Sequence, residues 1–502
     1  MQLLQGILVA LQPFNLFIAF AGTGIGIIFG ALPGLTSTMA VGLLIPVTFG
    51  FSPSTGLIFL AGAYCGSMYG GAISAILLNT PGTPASAATA FDGHPMALKG
   101  EGGKALAIAT IASFVGGIIS ALCLIFISPE LAKVALLFGP AEYFAVAVFG
   151  MTIISTLSSR AMLKGCIAGA LGLLIGTIGM DPISGYPRFT MGFMEMQEGI
   201  SIIPALIGLF SASQVMILVE ALAPGESLHS MSALKTGKIW ISLKELKELF
   251  GIMLRGSVIG TTIGIIPAAG GDIAAFLGYN EAARFSKKKD LFGKGNPEGV
   301  AGPESANNGV TGGSLIPLLT LGIPGNSVTA IFLGGLLIQG LRPGPSLFTE
   351  QAAITYAFFG GMLLANIAVL ILGFIGARFF IKILSVPTTL MIPLIFCLCT
   401  IGSYSIRNSM FDVALMLVFG VVGYFLKKTG FGTAPVVLGM ILGPMAESNC
   451  RRILQANQGD LMPMFDKPIV VFLFVLSFLS VVSPFIVQYF ENRKKQGSGA
   501  GD

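Results

Sequence analysis

Four short stretches of this chain concentrate the residue types that could hold a small ion. They read "GALPGLTST" (Gly30–Thr38), "LNTPGTPAS" (Leu78–Ser86), "PAAGGD" (Pro267–Asp272) and "LGIPGNSVT" (Leu321–Thr329). Each places a Gly/Pro break in or beside an apolar run and follows it with hydroxyl, amide or acid side chains. Proline removes a backbone donor and clashes with the preceding turn, so a helix stops there. In hydrocarbon the freed backbone groups need partners, and a break survives only if it is buried in protein or lines a cavity. What the break gains is a helix end. The N-terminus beyond it has free N–H groups and partial positive charge, suited to an anion. The carbonyls before it suit a cation such as sodium.

The side chains sort on that basis. Candidate substrate-binding residues are Pro33, Gly34, Thr36, Ser37 and Thr38 in the first stretch, and Asn79, Thr80, Pro81, Gly82, Thr83 and Ser86 in the second. Gly322, Pro324, Gly325, Asn326, Ser327 and Thr329 supply the fourth. A coupling ion is assigned to Gly270, Gly271 and Asp272, with Asn307 and Asn308. A single break can be a kink or a close helix crossing. Four breaks paired across a repeat point to an anion and a coupling cation, that is, to a secondary transporter for a carboxylate. Asp272 binds sodium, takes a proton or caps the helix that follows it. Glu304, in "GPESANNG" with Asn307 and Asn308, lines the cavity or caps the next helix. Asp92 and His94 are expected to be solvated at the membrane edge.

The elements that must position these residues are membrane helices. Hydrophobic residues make up 54% of the 502 and charged residues 10%, with mean hydropathy +0.86. Soluble domains carry about a quarter charged residues, so the chain reads as an all-α polytopic membrane protein. Ten to twelve crossings with broken or re-entrant pieces are expected. The 68 Gly suit close helix packing. The net charge of +5 comes from loop Lys and Arg that orient the spans, not from a nucleic-acid surface. The six Cys lack metal-site spacing and read as small apolar fillers. His94 and His229 cannot build a metal site between them. No signal peptide is evident.

The order of motifs repeats. "GTGIGIIFGALPG" (Gly22–Gly34) resembles "GTTIGIIPAAGG" (Gly260–Gly271), and "GGAISAILLNTPGTPASAATA" (Gly70–Ala90) resembles "GGSLIPLLTLGIPGNSVTAIF" (Gly312–Phe332). The loop between the motifs is uncharged in the first half and basic in the second, with Arg284, Lys287, Lys288, Lys289 and Lys294. Opposite loop charge at matched positions predicts an inverted-topology repeat. The first half spans 1–223 and the second 251–490. Residues 224–250 form a cytoplasmic connector, in which Leu243, Leu246, Leu249 and Phe250 have the spacing of an amphipathic surface helix. Residues 181–199 fall outside the cytoplasm, and 491–502 form a flexible tail.

No enzyme motif is found. There is no Walker A string for direct ATP drive, and "GTGIGIIFG" sits in an apolar run without the βαβ context of a dinucleotide site.

The strings "LPGLTSTMAVGLLIPVTFG", "AILLNTPGTPASAATAFDGHPMA" and "FGKGNPEGVAGPESANNGVTGGSLIPLLTLGIPGNSVTAIFLGGLLIQGLRPGP" resemble the large membrane subunit of the bacterial tripartite tricarboxylate transporters over nearly the whole chain. Thr36 departs from the family pattern, which often has a further Gly there. The resemblance implies a transporting subunit in the bacterial inner membrane. It also implies a small four-helix membrane subunit, a periplasmic substrate-binding protein, a citrate-like or related carboxylate substrate, and drive by a sodium or proton gradient. The paired breaks suggest alternating access of the elevator type. No cofactor is expected beyond the coupling ion. An anion channel and a membrane scaffold subunit are the alternatives.

Overall fold

The computed structural model describes residues 2–32, 34–157, 162–181, 183–221, 237–267, 270–376, 379, 388–479 and 481–482. The first part of the chain runs α1 (Gln2–Ala10), α2 (Pro13–Ala31), α3 (Ser37–Leu44), α4 (Pro53–Leu78), α5 (Ala87–Met96) and α6 (Gly102–Ala135). Then come α7 (Pro140–Leu157), α8 (Met162–Gly176), a hairpin of β1 (Gly179–Met180) and β2 (Pro187–Arg188), α9 (Ile202–Leu206) and α10 (Ser213–Ala221). The second part holds α11 (Leu243–Ile265), α12 (Gly271–Phe285), α13 (Glu298–Leu321), α14 (Ser327–Ile338), α15 (Ser346–Thr349) and α16 (Ala352–Ile375). It continues with α17 (Thr388–Arg407), α18 (Met410–Lys428) and α19 (Thr433–Ala456).

Eight helices among the described residues are long and apolar enough to cross a membrane, with four shorter apolar helices beside them. α13 is not among the eight. Its sequence is rich in Gly and polar residues, which are accommodated because the helix is wrapped in protein: every residue from Gly299 to Thr320 is buried. The chain is an all-α polytopic membrane protein.

Packing divides it into two units, Met1–Ala135 with Ile203–Tyr424, and Leu136–Ile202 with Phe425–Asp502. This division cuts across the two sequence halves. In the second unit, Gly172 of α8 lies against the backbone of Val436 in α19. The hairpin register is Gly179 opposite Arg188 and Met180 opposite Pro187. Arg188 clamps Glu447 with both terminal nitrogens, at 2.6 and 3.2 Å. Arg451 reaches Asp181 at 2.5 Å.

All four breaks lie in the first unit. Its centre is the pair of long buried helices α4 and α13, each flanked by a helix that approaches through small residues. Gly22, Gly26 and Gly30 of α2 lie on the backbone of Phe59, Ala63 and Ser67 in α4. Gly256, Gly260 and Gly264 of α11 lie on α13 near Ser305, Ala306 and Ser314. Small residues let membrane helices come close enough for van der Waals packing.

One boundary expectation is corrected. Leu243–Phe250 is not a separate surface helix. Ser242 and Glu245 form a capping box, and the helix runs unbroken from Leu243 to Ile265. Lys104 pairs with Glu245 at this end. The connector residues 224–236, Lys235 included, lie outside the described residues.

Candidate functional site

Each break appears where the sequence places it, between α2 and α3, α4 and α5, α11 and α12, and α13 and α14. Pro33 lies outside the described residues. The second and fourth breaks are built alike. α4 ends in left-handed Asn79 (φ 53°) and α13 in left-handed Gly322 (φ 74°). Asn and Gly are the residues that adopt this conformation readily at a helix C-cap. Beyond each break the chain is recaptured by a capping box, Thr83 with Ser86 in one and Asn326 with Thr329 in the other. Reciprocal capping satisfies two of the N–H groups that a new helix leaves open.

The breaks touch each other in a closed series. Gly82 of the second packs against the carbonyl of Gly30 at the first. In the fourth, a Cβ on Gly325 would sit 2.7 Å from the carbonyl of Gly264, just before the third. The second and third meet where Ala85 lies beside Gly271, with Ala88, Ala275 and Tyr279 packed around them. The first and fourth meet through α3 and α14, where Gly42 faces Ile331, and Gln339 donates to the Thr48 carbonyl at 3.1 Å.

The candidate residues fall into three groups. Thr83, Ser86, Asn326 and Thr329 spend their side chains on caps, and Thr36 does the same for α3 at 3.3 Å from Met39 N. Gly82, Pro324 and Gly325 are buried packing positions, and Pro81 and Gly322 are half-buried. Among the described residues the polar groups still open are the exposed Asn79, the half-buried Thr38 and Ser327, and the buried Ser37, whose Oγ has no partner there. Half-buried Thr80 holds only a long bond to the Leu78 carbonyl at 3.3 Å. Gly34 is exposed with φ 88°.

Of the ion-site residues, Asn307 and Gly271 come together. Among the described residues Asn307 Oδ1 is buried without a hydrogen-bond partner, 2.8 Å from where a Cβ on Gly271 would stand. Its Nδ2 donates to the Met68 carbonyl at 3.2 Å. Asn308 Oδ1 is also buried and unpartnered among the described residues. Gly270 caps α12, and Asp272 sits exposed in the first turn of that helix.

Two side chains are placed differently from the sequence expectation. Glu304 is not a cap. It lies in the interior of α13, fully buried, and accepts from Thr89 and Ser113. Asp92 is not solvated. It is fully buried and accepts from Gly295 N and Asn296 N at 2.8 Å and from Tyr279 Oη at 2.9 Å. Both partner sets come from segments about 200 residues away, and no local pattern announces them. The signal that was available was chemical: an acid inside a long Gly-rich run between apolar helices is by default functional.

A polytopic helical protein whose buried centre is a series of helix ends and polar side chains has the architecture of a membrane transporter. The chain belongs to the TctA family of tripartite tricarboxylate transporters, whose sequence model matches residues 16–438. It is therefore a subunit of a tricarboxylate transporter, of a family of transporters and not of enzymes, whose tripartite make-up implies further subunits. It is 38% identical over 473 residues to a protein of Agrobacterium vitis described as an uncharacterized 52.8 kDa protein in the TAR-I ttuC' 3'region, covering 94% of this chain and 93% of that protein. A second protein of the same organism, described as lying in the TAR-II ttuC' 3'region, is 38% identical over 223 residues, which is 44% of this chain and 92% of that protein. No solved structure matches the chain.

Proposed function

We propose that this chain is the transporting subunit of a binding-protein-dependent importer. It moves a tricarboxylate or related carboxylate across the bacterial inner membrane by alternating access, driven by a sodium or proton gradient. A periplasmic protein captures the substrate, and a small four-helix subunit completes the membrane part. The observation that carries the reading is the closed series of four helix breaks, in which helix ends of both halves meet. Asn79, Thr80, Thr38, Ser37 and Ser327 are the groups left open for a carboxylate. Asn307, Asn308 and the start of α12 are the place for the coupling ion. The two halves act as an inverted repeat, and the part carrying the breaks moves as an elevator.

The test is uptake of labelled citrate and other carboxylates into proteoliposomes holding all three components, with sodium or proton gradients imposed in turn. Saturable uptake that follows one gradient, and is lost in Asn79→Ala with the protein still folded, is the expected result. Non-saturating flux indifferent to both gradients would make the protein a channel. Normal uptake in Asn79→Ala would move the substrate site elsewhere.

A further inference from the structure

Two arginines from different helices share one aromatic ring. Arg255 of α11 has its guanidinium carbon 5.3 Å from the centroid of Phe285, and Arg284 of α12 has its own 5.4 Å from the same centroid. Phe285 is the last residue of α12, and all three side chains are exposed. A guanidinium is drawn to the face of an aromatic ring, and here the ring gathers two positive charges in one small patch. Like charges repel, so an anion that meets both is favoured there. The planar guanidinium presents paired N–H donors that match the oxygens of a phosphate.

The surface around the pair narrows the choice of anion. α11 packs on α13 through Gly256, Gly260 and Gly264, and α12 does so through Gly278. At helical spacing Arg255 and Val258 lie on the side of α11 turned away from these glycines. Ile273, Leu277 and Arg284 lie on the corresponding side of α12. Val258, Ile273 and Leu277 are exposed, so an apolar strip runs from the arginines toward the third break. α11 is long and apolar enough to cross a membrane, and an ionisable residue inside such a helix is by default functional.

Depth agrees with this. At 1.5 Å per residue, Arg255 stands about 15 Å from the end of α11 and Arg284 about 20 Å from the start of α12. Half of a hydrocarbon core is about 15 Å. Broken helices of transporters lie near the bilayer midplane, which puts both guanidiniums at the headgroups and the apolar strip among the acyl chains. Lys287, Lys288 and Lys289 follow Phe285 directly and are exposed. Basic clusters at a membrane edge attract anionic lipids.

We propose that Arg255, Arg284 and Phe285 form a headgroup site for an anionic glycerophospholipid. Its phosphate bridges the two guanidiniums, and an acyl chain lies along Val258, Ile273 and Leu277. A free phosphate would satisfy the arginines and leave the apolar strip unused. The depth rests on the transport reading above; the pairing of the arginines does not.

The test uses the full chain with its one tryptophan, Trp240, replaced in Trp240→Phe. Val258→Trp then places a fluorophore one turn from Arg255 on the same face. The protein is reconstituted in phosphatidylcholine vesicles carrying equal fractions of either phosphatidylglycerol or phosphatidylcholine brominated on the acyl chain. Brominated phosphatidylglycerol should quench several-fold more strongly than brominated phosphatidylcholine. In Arg255→Gln with Arg284→Gln the two lipids should quench alike. Equal quenching with both arginines present would overturn the proposal, as would a preference that survives their replacement. A preference abolished by inorganic phosphate at constant ionic strength would assign the pair to a free anion and also overturn it. Should Val258→Trp fail to fold, Leu277→Trp takes the same readings. Carboxylate uptake is followed alongside. Uptake absent with the preference intact removes the transport reading and leaves the lipid site standing, and the preference absent with uptake intact removes the lipid site alone.

Discussion

The side-chain amide of Asn326 donates to the phenol oxygen of Tyr64 at 2.9 Å, tying the fourth break to the middle of α4 across 262 positions of sequence. The same phenol oxygen bonds Ser314 Oγ of α13 at 3.0 Å. Tyr64→Phe keeps the ring and removes this junction, leaving the Asn326 amide short of a buried partner. The expected loss is about 1–3 kcal/mol, read as a lower melting temperature in detergent. An unchanged melting temperature would mean the junction contributes nothing.

Gly82 and Gly325 sit where no side chain fits, one against the Gly30 carbonyl and the other against Gly264 and Ser314. Gly82→Ala and Gly325→Ala should each destabilise the protein by about 1–3 kcal/mol or more, as overpacking does. Size-exclusion profiles and thermal melts check this. The matched outcome at both positions matters, because it tests whether the two breaks are built to the same tolerance.

Asp92 fastens the 286–297 loop to α5 through two hydrogen bonds, from Gly295 N and Asn296 N, and accepts a third from Tyr279 of α12. Asp92→Ala removes a charged acceptor whose bonds are each worth about 1.5–3 kcal/mol. The loop carries Lys287, Lys288 and Lys289, so limited trypsinolysis should cut there faster in the variant. Equal cleavage rates would show that other contacts hold the loop.

Asp181 is held well below the usual carboxylate range by the backbone N–H of Ser184, then by Arg451 and the N–H of Ile183. A lowered folded-state value gives stability that is present above the ordinary value of about 3.9 and lost as pH falls through the lower one. The 181–186 turn should therefore stay closed through mild acid and loosen only in strong acid. Asp181→Asn should loosen it already at neutral pH. Hydrogen exchange of the Ser184 and Gly185 amides follows both. Identical exchange in the two proteins would remove the carboxylate from the account.

What the sequence determined by itself is the solvent and the punctuation. Scarce charge and long apolar runs set a membrane protein, because each missing charge is visible in the composition. Gly/Pro pairs set the four breaks, because proline chemistry acts on its own turn. The strings around Asn79, Glu304 and Asn326 carried the family. The tertiary structure alone decided what each polar side chain is for. Asn326 and Thr83, read as substrate ligands, are engaged as helix caps, while Asp272, read as a sodium or proton site or a helix cap, is exposed in the first turn of α12. Glu304, read as lining a cavity or capping a helix, became a buried acid held by Thr89 and Ser113. The reason is physical. A break is written into neighbouring residues, whereas the surroundings of a carboxyl or an amide are supplied by helices that arrive from some 200 residues away.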